Sequence, residues 1–179
     1  MPGEAHRKLD YADYAAIPDD GRRYEVLDGS LFVTPAPSPL HQRVSRRLQR
    51  QLEDHFQERA EVFDAPIDVI LSSHDILQPD LVVVSDARQV SKRGIEGVPL
   101  LMVEILSPSS IQYDRKAKSR RYAALGVPHL WIVDPEAHRL ECYGLRGGIF
   151  EAIGTFEENA PFAHPAWPDL AVNLAALWR

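Results

Sequence analysis

Apolar residues recur along this chain in two rhythms. Val44, Leu48, Leu52 and Phe56 stand four apart, which predicts a helix over about Leu40 to Ala60 with Ser38 as its cap. Asp10 to Ala16 predicts a short helix capped by Asp10, and Tyr113 to Leu125 a third, closed by Gly126. β-rich runs predict strands over Val62 to Asp64, Ile67 to Leu71, Asp80 to Val84, Leu100 to Leu106 and Leu130 to Asp134. Two hairpins are expected. Arg23–Leu27 and Ser30–Thr34 flank an Asp28-Gly29 turn, and Arg139 to Tyr143 and Ile149 to Ile153 flank Gly147-Gly148. Leu174 to Trp178 reads as a last short helix. The order gives an α/β fold, a central mixed sheet flanked by helices, with N-terminal and C-terminal β-hairpins added.

Polar residues inside apolar runs carry the candidate chemistry. Glu104 interrupts Leu100-Leu101-Met102-Val103 and Ile105-Leu106, a run suited to a strand buried on both faces. A lone carboxylate there costs several kcal/mol unless a cation or hydrogen-bond donor meets it. Asp80 opens the preceding core strand. On the following helix, Ile111, Asp114, Lys118, Tyr122 and Leu125 share the face expected to meet the sheet, whereas Gln112, Lys116 and Arg120 face solvent. Glu25 lies in the first hairpin, opposite in face to Tyr24 and Val26. Mg²⁺ takes oxygen ligands, often one or two carboxylates completed by water and substrate phosphate. Asp80 and Glu104 are therefore candidate ligands, Lys118 the candidate cation, and Glu25 a ligand or water-orienting carboxylate.

Composition narrows the setting. At 179 residues the chain is long enough for one self-sufficient domain, expected over 1–179 with its core at about 10–155 and an extension at 156–179. The single cysteine, Cys142, excludes an internal disulfide. No run reaches the roughly 20 apolar residues of a membrane span, and the first eight residues do not read as a signal peptide, so the cytoplasm is the expected compartment. A net charge of −6 argues against coating nucleic acid by bulk electrostatics. It leaves room for a nuclease with a local basic strip.

The motifs Tyr24-Glu25-Val26-Leu27-Asp28-Gly29, Pro79-Asp80-Leu81-Val82-Val83, Val103-Glu104-Ile105-Leu106-Ser107-Pro108-Ser109, Asp114 followed by Lys118, and Gly126 through Pro135 occur in order. Together they resemble the Uma2 family. The resemblance implies a restriction-endonuclease-like fold of the PD-(D/E)XK superfamily and a Mg²⁺-dependent endonuclease acting on DNA, with Mn²⁺ as a substitute. It adds His41, beside Gln42 at the start of the long helix, and Asp114 as secondary site residues. One position departs from the wider superfamily, whose lysine usually sits two residues after the second acid. Here that position is Leu106, and Lys118 on the next helix has the family's spacing.

Blander roles stand beside each of these. Glu104 could form a structural ion pair with Lys118, Asp80 could bond nearby backbone, Glu25 could pair with an exposed arginine, and Lys118 could cover a sheet edge. Arg43, Arg46, Arg47 and Arg50 are a solvated helix face or a phosphate-tracking strip. Tyr113 and Tyr122 are expected in the core. The alternative function is a catalytically silent module binding nucleic acid or protein; hydrolysis of another substrate is weakly excluded. A homodimer is expected, since two sites about a two-fold axis suit cutting a duplex. The apolar segment Trp167 to Trp178 would line that interface or cap the core.

Overall fold

The computed structural model describes residues 7–108 and 113–179. Ser109, which ends the third motif, and Ile111 and Gln112 of the expected third helix's faces lie outside them, as do residues 1–6. In chain order the elements are α1 (Tyr11–Ala15), β1 (Arg23–Leu27), β2 (Ser30–Thr34), α2 (Pro39–Phe56), β3 (Glu61–Asp64), β4 (Val69–Ser72), β5 (Asp75–Leu77), β6 (Leu81–Val84), β7 (Val90–Ser91), β8 (Gly94–Glu96), β9 (Leu101–Ile105), α3 (Ser119–Ala124), β10 (His129–Asp134), β11 (Arg139–Arg146), β12 (Ile149–Glu157) and α4 (Leu174–Trp178). A π-helical turn, Tyr113–Lys118, runs directly into α3.

Two mixed six-stranded sheets form. One is ordered β2-β1-β5-β4-β8-β7, the other β12-β11-β10-β9-β6-β3. In the second, β9 pairs parallel with β10 and antiparallel with β6. Strand parity divides the core. Leu81, Val83, Leu101, Val103, Ile105, Trp131 and Val133 pack on the side of α2, against Val44, Leu48, Leu52 and Phe56. Val82, Val84, Met102, Leu130 and Ile132 face the other way, against Leu27, Val69, Leu77 and Ile95 of the first sheet and Tyr122 of α3. Glu104 has the parity of the second set, so it points into the layer between the sheets.

Local chemistry sets the boundaries. Asp10 and Asp13 form a reciprocal capping box at α1, each carboxylate accepting the other's backbone N–H at 3.0 Å. Ser38 accepts the His41 amide at 3.2 Å, and Pro39 sits in the first turn of α2. That helix ends at Phe56, not Ala60. Gln57 takes a positive φ of 45° and a short 3-10 turn leads to Ala60, which is already extended. The β1–β2 turn has positive φ at both Asp28 and Gly29. A Cβ at Gly29 would lie 2.4 Å from Lys8 Cβ, so only glycine fits. The third expected helix begins as the π turn, and its Asp114 and Lys118 are both buried.

The C-terminal segment caps the core. Leu170, Val172, Leu174 and Leu177 join the α2 cluster, and Trp167 packs edge-on to Phe56. Arg47 donates to the carbonyls of Leu177 and Arg179, tying α4 to α2. No helix among the described residues is long and apolar enough to cross a membrane.

Asp75 of β5 fastens the first sheet to α3. Its fully buried carboxylate accepts Arg121 Nε at 2.7 Å and Nη2 at 2.6 Å, the Asp28 amide at 2.8 Å, and the Ser72 hydroxyl. Burial alone would raise its pKa; Arg121, Ser72 and the Asp28 amide together outweigh burial and hold it below the usual carboxylate value. Removing one partner of such a pair strands the other. Asp75→Ala is therefore expected to cost about 3 kcal/mol in urea unfolding, and a loss below about 1 kcal/mol would refute this account.

Candidate active site

Lys118 ends the π turn with its ammonium buried among three carboxylates. Nζ lies 2.9 Å from Glu25 Oε1, 3.2 Å from each Glu104 oxygen and 3.6 Å from Asp114 Oδ1. Glu25 is fully buried and Glu104, Lys118 and Asp114 nearly so. Tyr122, one turn on in α3, donates to Glu104 Oε1 at 2.6 Å. Burial works against the ammonium, but Glu104, Glu25 and Asp114 outweigh it and hold Lys118 well above its usual pKa. Burial pushes Glu104 well above the usual carboxylate range, and Asp114, Asp80 and Glu25 add to that rise against the pull of Lys118.

Asp80 immediately precedes β6. Leu81 pairs with Val103, so continuing the antiparallel register one step sets Asp80 opposite Glu104, on the same face. Its Oδ2 accepts the Ile105 amide at 2.7 Å and lies 3.2 Å from His41 Nε2. The Ser38 cap fixes the first turn of α2 and so presents His41 to Asp80. Burial lowers the His41 pKa, but Asp80 more than offsets it, leaving the imidazole above its usual value.

His41, Asp80, Glu104, Asp114 and Lys118 line one cavity of about 50 Å³. That is room for roughly three or four waters. The six residues expected at the site thus come together, Glu25 from behind through Lys118. Sequence reasoning missed three contributors. Gln78 donates its amide to Glu25 Oε1 at 2.7 Å, Arg23 borders the cavity, and Tyr122, expected as plain core, bonds Glu104. Arg23 and Gln78 flank motif residues, but nothing in their spacing marks them.

The donor set suits a hard divalent cation sharing its shell with water. Asp80 and Glu104 give two carboxylates on adjacent strands, the number Mg²⁺ commonly takes. Glu25 Oε2 is buried with no hydrogen bond among the described residues, and Asp114, Asp80 and Glu25 add to the rise that burial gives the Glu104 pKa, so carboxylates outnumber the one ammonium here. Among the described residues no group of three or more His, Cys, Asp or Glu side chains is arranged to hold a metal ion by itself.

The charge excess has a measurable sign. Glu104 takes up its proton at higher pH in the folded chain than in the unfolded one. Its contribution is therefore greatest below the unfolded carboxylate pKa and is lost as pH rises through the folded value. In EDTA at pH 8, Glu104→Gln is expected to melt at or above wild type in a thermal scan. A clear drop would make the carboxylate a net stabiliser as counter-ion of Lys118.

Comparison with known proteins agrees with this architecture. A crystal structure described as that of "a putative nuclease belonging to DUF820" from Anabaena variabilis ATCC 29413 matches with a TM-score of 0.76. It covers 95% of this chain and 97% of that one at 18% identity. That likeness shows the fold, an α/β architecture of two mixed sheets flanked by helices. An "Uncharacterized protein slr1290" of Synechocystis sp. is 29% identical over 125 residues, 68% of this chain; the match spans 66% of that relative's own length. Residues 11–175 match Uma2, described as "Putative restriction endonuclease", and the chain belongs to that family.

Proposed function

We propose that the chain is a nuclease, and more specifically a Mg²⁺-dependent endonuclease that hydrolyses DNA phosphodiesters. One observation carries this reading: Asp80 and Glu104 share a face on neighbouring core strands and open, beside the Lys118 ammonium, on a single small cavity. Family membership and the nuclease described for Anabaena variabilis point the same way.

In this reading Asp80 and Glu104 hold the cation. When bound, Mg²⁺ supplies Lewis acidity and lowers the pKa of a water. Water adds to phosphorus, the bond to the leaving oxygen breaks, and that oxygen ends protonated. Lys118 stabilises negative charge on the phosphate as it builds. Glu25 fixes Lys118, and Gln78 in turn fixes Glu25. His41 holds Asp80 from the outer side, and Asp114 adds a third carboxylate to the ammonium. A homodimer would offer one site to each strand of a duplex.

A second reading, a binding module without catalysis, has one observation in its favour. Both Glu104 oxygens are engaged by Lys118, and one also by Tyr122, so the cluster is closed as an ion pair. Calorimetric titration of Mn²⁺ into wild type, Asp80→Ala and Glu104→Ala separates the two. The nuclease reading expects binding to wild type that both substitutions abolish, and a rise in melting temperature with metal. It also expects Glu104→Gln to lower metal-dependent cleavage of a DNA duplex by about 100-fold or more. Absence of metal binding both alone and with a duplex present would sink it in favour of the silent module.

A further inference from the structure

The site pocket offers about 50 Å³ beside Asp80, Glu104 and Lys118. Two larger cavities adjoin it. One, of about 360 Å³, runs along the exposed face of α2 and is lined by Gln42, Ser45, Arg46 and Gln49. The other, of about 440 Å³, lies beside Tyr14, Tyr24 and Gln78. Arg23 lines all three, and it stands where they meet.

The state of Arg23 sets it apart. Most arginines near a carboxylate in this chain are paired with one, as Arg115 is with Glu141 and Arg121 with Asp75. Half-buried Arg23 has no carboxylate within 4 Å among the described residues. Its Nε donates to Gln78 Oε1 at 3.0 Å and its Nη2 weakly to the Gln78 carbonyl at 3.4 Å. Those neutral partners orient the fork and leave its charge uncompensated; Nη1 makes no hydrogen bond among the described residues. It lines the carboxylate pocket itself, beside His41, Asp80 and Lys118. A planar, half-buried guanidinium with an open donor suits a phosphate oxygen.

The four arginines of α2 also separate. Arg47 is spent on the carbonyls of Leu177 and Arg179. Arg43 and Arg50 are exposed and line none of the three cavities. Arg46 alone faces the groove, without an ion pair among the described residues, opposite Asp64 and Asp80.

We propose that Arg23 and Arg46 grip successive phosphates of one DNA strand as it passes from the α2 groove over the carboxylate pocket, with Gln78 as the positioning residue for Arg23. This rests on the nuclease reading and names how a chain of net charge −6 holds a polyanion. Two placed guanidiniums do what bulk charge cannot.

The test is fluorescence anisotropy of a labelled 20-base-pair duplex, and of its single strand, over a salt series with Ca²⁺ in place of Mg²⁺. Arg23→Gln should weaken binding about tenfold, as loss of a charge-assisted hydrogen bond does. It should also lower the salt slope by about 0.9 on duplex, or 0.7 on single strand, the value of one phosphate contact. Arg46→Gln should lower the slope likewise, Arg23→Lys should restore it, and the exposed Arg120→Gln should change nothing. Unchanged affinity and slope in Arg23→Gln, with wild type binding normally, overturn the clamp and leave the nuclease reading standing. If Arg23→Gln melts early, an unchanged slope in Arg46→Gln overturns the clamp instead. Wild type that binds neither duplex nor strand, at any salt, sinks both.

Discussion

The structure turns on one buried ammonium. Lys118 satisfies carboxylates from β1, from β9 and from its own π turn, so three separately folded pieces share a single counter-ion. Taking these charges out of water is costly, and the hydrogen bonds from Gln78 and Tyr122 offset part of it. The arrangement makes sense as a site poised for more positive charge than one lysine gives. Glu25 keeps an oxygen with no hydrogen bond among the described residues, and burial pushes Glu104 toward its protonated form.

The second sheet and the scaffold around it make that cluster possible. Parity along β6, β9 and β10 sends one row of side chains to α2 and the other to the interior layer between the sheets. Glu104 therefore reaches Lys118 without disturbing the α2 core. The Asp75–Arg121 fork holds α3 against the first sheet, and with it the ladder position from which Lys118 and Tyr122 reach back. The C-terminal segment closes the opposite face. It fills the core with leucines, as its reading as a cap expects.

Much of this was legible in the residues. Long apolar periodicity located α2 and the core strands, because burial on known faces leaves a repeat. Glu104 declared itself as a charge where only a partner makes one tolerable, and i, i+4 spacing chose Lys118 over Lys116. What escaped was set by tertiary pairing. β5, β7 and β8 are two or three residues long, too short for any period, and exist because a neighbouring strand completes their hydrogen bonds. The first sheet was therefore seen only as its hairpin and, at Ile67 to Leu71, the strand that became β4. The π turn is invisible to a 3.6-residue template. Arg23 and Gln78 have ordinary surroundings in sequence, and only the meeting of three cavities singles them out.

β9 has a further consequence for how this chain can vary. Each of its five residues is buried, and its two faces demand opposite chemistry: hydrocarbon toward α2, a carboxylate toward Lys118. Identity at the apolar positions can drift among residues of similar volume. Length cannot. Inserting or deleting one residue would invert every side chain at once, driving Glu104 into the leucines of α2 and a valine or isoleucine against the ammonium. Among relatives, the loops on either side of β9 should therefore accept insertions and the strand itself none.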